Sequence, residues 1–377
     1  MRDFSALVGD KLTKILHTQG ITAPTAIQVG AIPVIMAGRD LMATSATGTG
    51  KTLAYLLPIF AKLDSEIKGC QAVIIAPTYE LAAQIAKVAA ALADKPSDVA
   101  LLIGSANKAR QHDALKGKPK VVVGSIQRVL EHRDEKKLSL HNTRILVFDE
   151  ADRLFVSETM PYVERLIKAT LRERQILLFS ASLPDAVVKL AMLLTKQAEV
   201  MRIDRTLPSN IRHCYITAQG RDKFDTLRKL MHALGVPQAI IFVNAPFAIE
   251  KVAARLNHHK LAAMPLFGAT QATSRKAAMD AFRAERVQML VASDVGSRGL
   301  DVPELRYVIN LDLPSNEKDY LHRAGRCGRM GRDGLVISIV TDGEAVALKK
   351  MAAKLKVEIV EATLSHGRLL TRDGGVM

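Results

Sequence analysis

Two short stretches of the sequence carry residue types and spacings suited to breaking a phosphoanhydride bond. The first, DLMATSATGTGKT (40–52), reads as a strand, a glycine-rich turn and the start of the helix TLAYLLPIF. In such a turn the backbone amides of Gly48, Thr49 and Gly50 can close around phosphate oxygens. The Lys51 ammonium can reach β and γ oxygens, and the Thr52 hydroxyl can ligate Mg2+. The positive end of the following helix points at the same place. Ser45 stands where the general GxxxxGK[ST] pattern has its first glycine; the blander alternative is a Gly/Thr-rich turn before a helix. The second stretch, RILVFDEAD (144–152), is an apolar strand that delivers acids to its carboxyl end, where open α/β sheets bind their ligands. Asp149 can hold Mg2+ through water, and Glu150 can orient and deprotonate an attacking water. Alone, these acids could equally be a solvated loop. Beside the phosphate loop they supply what triphosphate hydrolysis needs, namely electrostatic cover for the phosphoryl group and a base.

The elements that must position these residues follow from the hydropathy pattern. In the first half, short β-rich runs alternate with helical stretches: QAVIIAP (71–77), VALLIG (99–104), KVVVGS (120–125), RILVFDE (144–150) and QILLFSA (175–181). Continuous apolar runs of this kind predict a parallel sheet buried on both faces, with crossover helices at 51–63, 81–93 and 160–169. The rhythm breaks at MRIDRTLPSNIR, around 200–211, where Asp, Pro, Ser and Asn cluster. A second series follows at 213–218, 238–244, 262–267, 287–294, 307–314 and 334–340. The expected architecture is α/β, two doubly wound parallel-sheet domains in tandem, over 1–203 and 212–377 with a linker at 204–211. Only the last ten or so residues, with TRDGG, are expected to fray.

Composition sets the bounds. The 377 residues are 48% hydrophobic and 24% charged, with no 18-residue uncharged apolar run, which argues against membrane insertion. Fifty-three Lys and Arg against 38 Asp and Glu leave a net charge of +15, as expected of a protein whose partner is a polyanion. Residues 1–200 carry 26 basic and 20 acidic side chains and 201–377 carry 27 and 18, so both halves are expected to touch that partner. Cys70, Cys214 and Cys327 lie far apart, without the spacing of a zinc site or disulfide framework, which fits an intracellular reducing compartment in cytosol, nucleus or organelle matrix. The first residues lack the apolar segment of a secretory signal.

On these motifs the chain resembles the DEAD-box RNA helicases, ATP-dependent members of helicase superfamily 2. Asp149-Glu150-Ala151-Asp152 is the motif behind the name, and GITAPTAIQ (20–28), with Phe4 upstream, is similar to the family's adenine-reading element. The resemblance implies two RecA-like domains and ATP with Mg2+ as cofactors. It puts Gln28 on the adenine edge, Thr25 beside it and Phe4 on or near the ring; without the family, Phe4 is a core residue and Gln28 a surface polar. In YLHRAGRCGR (320–329), it makes Arg326 and Arg329 arginine fingers for the γ-phosphate and places His322 near Asp152; the alternative is a basic helix face binding nucleic acid. ASDVGSRGLD (292–301) resembles an element that puts Asp301 near the ribose and Arg298 and Gly299 near the cleft or RNA. Ser180-Ala181-Ser182 stands where the family has Ser-Ala-Thr, the element that couples hydrolysis to strand separation.

The RNA-facing elements depart more. PTYELAAQ (77–84) keeps Pro77 and Thr78 but has Tyr79 in place of the usual arginine. Gly104-Ser105 looks like the paired glycine element, and VGSIQRVL (123–130) keeps Ser125 and Arg128. FGATQATSR (267–275) retains Gly268 and Arg275. Lys108, Arg110, Lys116, Lys118 and Lys120, with Asp113 as the one acid among them, are either replacement RNA cations or a solvated face. The function implied is an ATP-dependent RNA helicase or ribonucleoprotein remodeller that closes two domains on ATP and single-stranded RNA, pries short duplexes apart and lets go after hydrolysis. The expected partners are RNA, within a ribonucleoprotein or assembling ribosome, and unnamed proteins, with a monomeric helicase core. Two alternatives are an RNA-bound assembly scaffold with low ATP turnover and a DNA-directed superfamily 2 translocase.

Overall fold

A computed structural model describes residues 3–45, 48–104, 106–203, 210–235, 238–266, 272–294, 305–328, 333–371 and 375. The chain divides into two compact units, the change falling between 204 and 205. In the first unit seven strands form one parallel sheet: β1 (Leu41–Thr44), β2 (Ala72–Ile75), β3 (Val99–Leu102), β4 (Val121–Gly124), β5 (Ile145–Asp149), β6 (Gln175–Ser180) and β7 (Glu199–Arg202), in the order β3-β4-β2-β5-β6-β1-β7. Every residue of β1, β2, β4, β5 and β6 is buried, because helices cover both faces. Ile145 and Val147 pack on one face against α1 (Phe4–Val8), α2 (Asp10–Thr18), α3 (Ala26–Met36), α4 (Lys51–Lys62) and α5 (Tyr79–Leu92). Leu146 and Phe148 pack on the other against α7 (Ile126–Asp134), α8 (Ala151–Leu154), α9 (Met160–Lys168) and α10 (Asp185–Leu194). Beyond β3, α6 (Lys108–Lys116) buries Leu115 in this second cluster.

The register fixes the site. β6 lies between β1 and β5, with Thr44 opposite Ser180 and Asp149 opposite Phe179. The three carboxyl ends are therefore neighbours, and the loop after β1, the acids after β5 and the serines after β6 must meet there. This is a switch point of the strand order, where doubly wound sheets open a crevice.

The second unit is an eight-stranded sheet of β8 (Ile211–Thr217), β9 (Ala239–Phe242), β10 (Ala263–Leu266), β11 (Met289–Ala292), β12 (Tyr307–Asn310), β13 (Gly334–Val340), β14 (Val360–Ser365) and β15 (Arg368–Thr371), in the order β10-β11-β9-β12-β13-β8-β14-β15. All pairs are parallel except β14–β15. Sequence reading expected fraying over the last ten or so residues. Within that stretch Leu369 is buried, and Arg368–Thr371 pairs with β14 across a turn in which His366 and Gly367 both have positive φ, 49° and 71°; 372–374, 376 and 377 lie outside the described residues. β7 was also missed: its alternating burial gives no continuous apolar run. Cys70, Cys214 and Cys327 are all buried, and no described helix is long and apolar enough to cross a membrane.

At the opposite, amino-end edge of the first sheet, buried Asp40 ties two segments together. Its Oδ1 accepts from the Ile176 amide at 2.7 Å and its Oδ2 from the Lys196 amide at 2.7 Å. Asp40→Ala leaves both amides without their acceptor and should cost about 2–4 kcal/mol. In urea the unfolding midpoint of the first unit should fall, with Asp40→Asn intermediate; an unchanged midpoint would contradict this accounting.

Candidate active site

The phosphate loop leaves β1 and enters α4 through two left-handed glycines, Gly48 at φ 82° and Gly50 at φ 91°. Gly50 has a second constraint: a Cβ there would lie 2.4 Å from Gln28 Nε2 and 3.3 Å from Thr25 Oγ1. Gln28 Nε2 donates to the Gly50 carbonyl at 3.1 Å, and Gln28 Oε1 accepts from the Thr25 amide at 2.9 Å, closing a capping box at the start of α3. The glutamine expected at the adenine therefore fastens α3 to the phosphate loop. Ser45, the departure from the glycine pattern, is used inside the loop. Its hydroxyl lies 2.6 Å from Thr49 Oγ1, and its carbonyl accepts from Lys51 Nζ at 2.7 Å. Thr52 follows in the first turn of α4, half-buried. Phe4 is fully buried in the core of the first unit, so as placed its ring offers no face to a base.

Asp149 ends β5 with 4% of its surface exposed. Tyr55 donates to its Oδ2 at 2.9 Å and the Glu150 amide to its Oδ1 at 2.9 Å. Burial pushes this carboxyl up to about 6, because the cost of taking the charge out of water outweighs the attraction of Lys51; nearby Glu150 raises it further. Glu150 is left-handed, φ 49° and ψ 50°, which turns the chain sharply out of β5 into α8, and its Oε2 lies 3.2 Å from an Arg153 nitrogen. One turn on, Asp152 accepts from Ser180 Oγ at 2.6 Å and Ser182 Oγ at 3.2 Å. Three of the four residues expected at the coupling element, Asp152, Ser180 and Ser182, are thus in direct contact within the first unit.

Pro77 and Thr78 are half-buried at the carboxyl end of β2, where Thr78 caps α5 by accepting from the Leu81 amide at 3.3 Å. Gly104 is exposed. Arg128 is committed to the protein: Nε donates to the Ile103 carbonyl at 3.3 Å, one terminal nitrogen to the Gly104 carbonyl at 2.9 Å, and the other to Glu131 at 2.7 Å. It pins the loop that bears Gly104. Of the five clustered cations, Lys108 is bound to Glu131 and Glu135, and Lys116 to Asp113 at 2.8 Å. The chain backbone of Lys120 pairs with Asp98 and Ala72 at the amino ends of β3 and β2. Lys120 thus lies at the amino ends of the strands, opposite the carboxyl ends that carry the site.

In the second unit, Arg323 is 1% exposed and holds the sheet's carboxyl ends together. It pairs with Asp294 through two bonds of 2.7 Å, donates to Asn244 Oδ1 and the Asp312 carbonyl at 2.7 Å, and stacks 4.9 Å from the Phe242 ring centroid. Sequence reading overlooked it. The available signal was Asn244, Asp294 and Asp312, polar residues directly beyond apolar strands that need a buried partner. In the same segment His322 is half-buried and Arg326 is 5% exposed, and Arg275 is 1% exposed. Gly268, Arg298, Gly299, Asp301 and Arg329 lie outside the described residues.

Residues 25–190 match the DEAD/DEAH box helicase family and residues 222–331 the helicase conserved C-terminal domain. The chain is 39% identical over 350 residues to the DEAD-box ATP-dependent RNA helicase CshC of Bacillus cereus, covering 92% of this chain and 90% of that one. It is 38% identical over 359 residues to the probable ATP-dependent RNA helicase YfmL of Bacillus subtilis, covering 94% and 95%. Its fold is similar to S. cerevisiae Dbp5 bound to RNA and ADP BeF3, with a TM-score of 0.83 at 27% identity over 96% of this chain and 95% of that chain. The chain belongs to the DEAD-box family of superfamily 2 RNA helicases, enzymes that couple ATPase activity to work on RNA.

Two substitutions check the geometry. Gly50→Ala strains a left-handed residue and drives a methyl into Gln28, so affinity for a fluorescent ATP analogue should drop at least tenfold; unchanged affinity would contradict the Gln28–Gly50 link. The burial cost at Asp149 is absent while folded and unfolded chains both hold the proton. It grows as pH rises from the ordinary 3.8 towards about 6 and is complete above that, where it is on the order of 3 kcal/mol. Asp149→Asn should therefore raise the melting temperature of nucleotide-free protein at pH 8, leave it nearly unchanged at pH 4, and abolish ATP hydrolysis. Equal shifts at the two pH values would exclude burial as the cause.

Proposed function

We propose that this RNA helicase works as a clamp: its two units close on ATP and single-stranded RNA, separate short duplexes locally, and reopen after hydrolysis. The observation that carries the reading is the direct bonding of Asp152, one turn beyond the catalytic acids, to Ser180 and Ser182. A change at the γ-phosphate that moves β5 must also be felt at β6.

The roles follow from the chain's own groups. The amides of Gly48, Thr49 and Gly50 cradle phosphate oxygens, and Lys51 exchanges the Ser45 carbonyl for them. A hydroxyl from Thr52 and a carboxylate from Asp149 are the hard oxygen donors that suit Mg2+, which when bound neutralises phosphate charge. Glu150 orients and deprotonates water. Gln28 and Thr25 read adenine, Phe4 supports them from beneath as core, and Asp301 meets the ribose. Arg326 and Arg329 reach the γ-phosphate on closure, and His322 meets Asp152. Closure lets ATP and RNA each favour the same state, so each should tighten the other by one common factor.

Pro77, Thr78, Gly104, Arg128, Gly268, Arg275, Arg298 and Gly299 are assigned to the RNA side. There Arg128 positions the Gly104 loop, and affinity comes mainly from phosphate and sugar contacts. With Tyr79 replacing an arginine and Arg128 already committed, the grip on RNA is retuned, towards one ribonucleoprotein or assembling ribosome. Such a setting also accommodates a scaffold with low ATP turnover.

Removing the two hydroxyls separates the parts of this proposal. Ser180→Ala with Ser182→Ala should leave RNA-stimulated ATPase within about threefold, because no group on the phosphate is lost, yet reduce unwinding of a short RNA duplex at least tenfold. A parallel loss of both activities would sink the coupling role. RNA-independent, slow hydrolysis in the unaltered protein would favour the scaffold.

A further inference from the structure

Away from the phosphate site, α6 and α7 bring two imidazoles and a carboxylate together. One nitrogen each from His112 and His132 and one oxygen of Glu135 all lie within 4.8 Å of one another. The ring centroids of the two histidines are 5.0 Å apart, edge to face, and His112 Nε2 is 3.2 Å from Glu135 Oε2.

The surroundings fix the chemical state of His132. Gln111 Nε2 donates to two backbone carbonyls, Ile103 at 2.9 Å and Ala106 at 3.2 Å, which leaves its Oε1 facing His132 Nε2 at 3.0 Å. An amide oxygen only accepts, so His132 Nε2 carries the proton and Nδ1 carries a bare lone pair. That Nδ1 is buried without a hydrogen-bond partner among the described residues, on a side chain that is 0% exposed. A core histidine packed for shape alone gains nothing from leaving a lone pair dry. The Gln111–His132 bond is the outer-shell contact that commonly orients a ligating imidazole.

We infer that His112, His132 and Glu135 form a site for one divalent transition-metal ion, Zn2+ by its donor set, that fastens α6 to α7. Two imidazoles and a carboxylate suit Zn2+, leaving one position for water. Tetrahedral zinc needs ligand atoms roughly 3.3 Å apart, so groups that lie within 4.8 Å of one another would have to close by at most about 1.5 Å. Lys108 is the opposing charge. It donates to Glu135 Oε1 and to Glu131, and so leaves Oε2 as the oxygen offered to a metal while keeping the carboxyl ionised below its usual range. The last turn of α7, which holds His132 and is followed by Glu135, presents the negative end of the helix to a cation. α6 begins just after Gly104, and α7 carries the Arg128 that pins Gly104. Metal occupancy would therefore stiffen that loop. The site itself does not depend on the clamp reading.

The test uses the full chain without a histidine tag, stripped of metal and free of nucleotide, titrated with Co2+ as a coloured probe for the zinc position. One Co2+ per chain should bind below about 10 μM with visible absorption bands that Zn2+ bleaches. Hydrogen exchange over 104–116 and 126–135 should slow at least threefold with Zn2+. The double variant His112→Asn, Glu135→Gln, whose changed side chains are partly exposed and leave buried His132 intact, should lose the bands, whereas His258→Asn with His259→Asn should keep them. No binding at 100 μM Co2+, bands retained in the first double variant, or bands lost only in the second would each overturn the proposal.

Discussion

A carboxylate held out of water at the end of β5 is the constraint on which the first unit's chemistry depends. Asp149 is expensive to bury and is tolerated because Tyr55 and the Glu150 amide each satisfy one of its oxygens. In that state it is a site short of positive charge, and Lys51, the cation that attracts it, is turned to the Ser45 carbonyl. On the proposed function, a metal-bound triphosphate would relieve both at once. The sheet makes this possible: β5 is flanked on both sides by strands and is buried along its whole length, which keeps the residue at its tip from water.

The same economy of contacts appears in the surrounding elements. Gln28 caps α3 and holds the phosphate loop with the two ends of one amide. Arg323 gathers the ends of three strands of the second sheet through one guanidinium. Arg128 uses its charge on the loop beside it. Each is a polar side chain whose geometry is set by several partners, which lowers the cost of ordering the surface around it.

Much of the architecture was legible in the sequence, for a physical reason. A parallel sheet covered on both faces needs strands apolar at every position, and VVVG, ILVFD and QILLFS announce themselves as such; the helices at 51–62, 79–92 and 160–168 also fall within two residues of expectation. Edge strands lack that signature. β7 alternates, and the interior strand β14 and its hairpin partner β15 have mixed burial, so all three escaped. At the site, the motifs that mark the family were readable because their residue types and spacing are local in the sequence. What they touch was not. Tyr55 beneath Asp149, Arg323 across three strands and the complete burial of Phe4 come from packing between distant segments. The basic run from Lys108 to Lys120 read as one patch, yet a helix carries its later members to the far edge of the sheet.

The most direct test of the buried carboxylate is its titration, followed by carbon-detected NMR on nucleotide-free protein with 13C-labelled aspartate, Asp149→Asn identifying the resonance. The account predicts a midpoint near 6, shifting well below 4 when MgATP is added to a Glu150→Gln protein, in which the proposed function expects hydrolysis to be lost. A midpoint near the ordinary 3.8 in the free protein, unmoved by nucleotide, would contradict it.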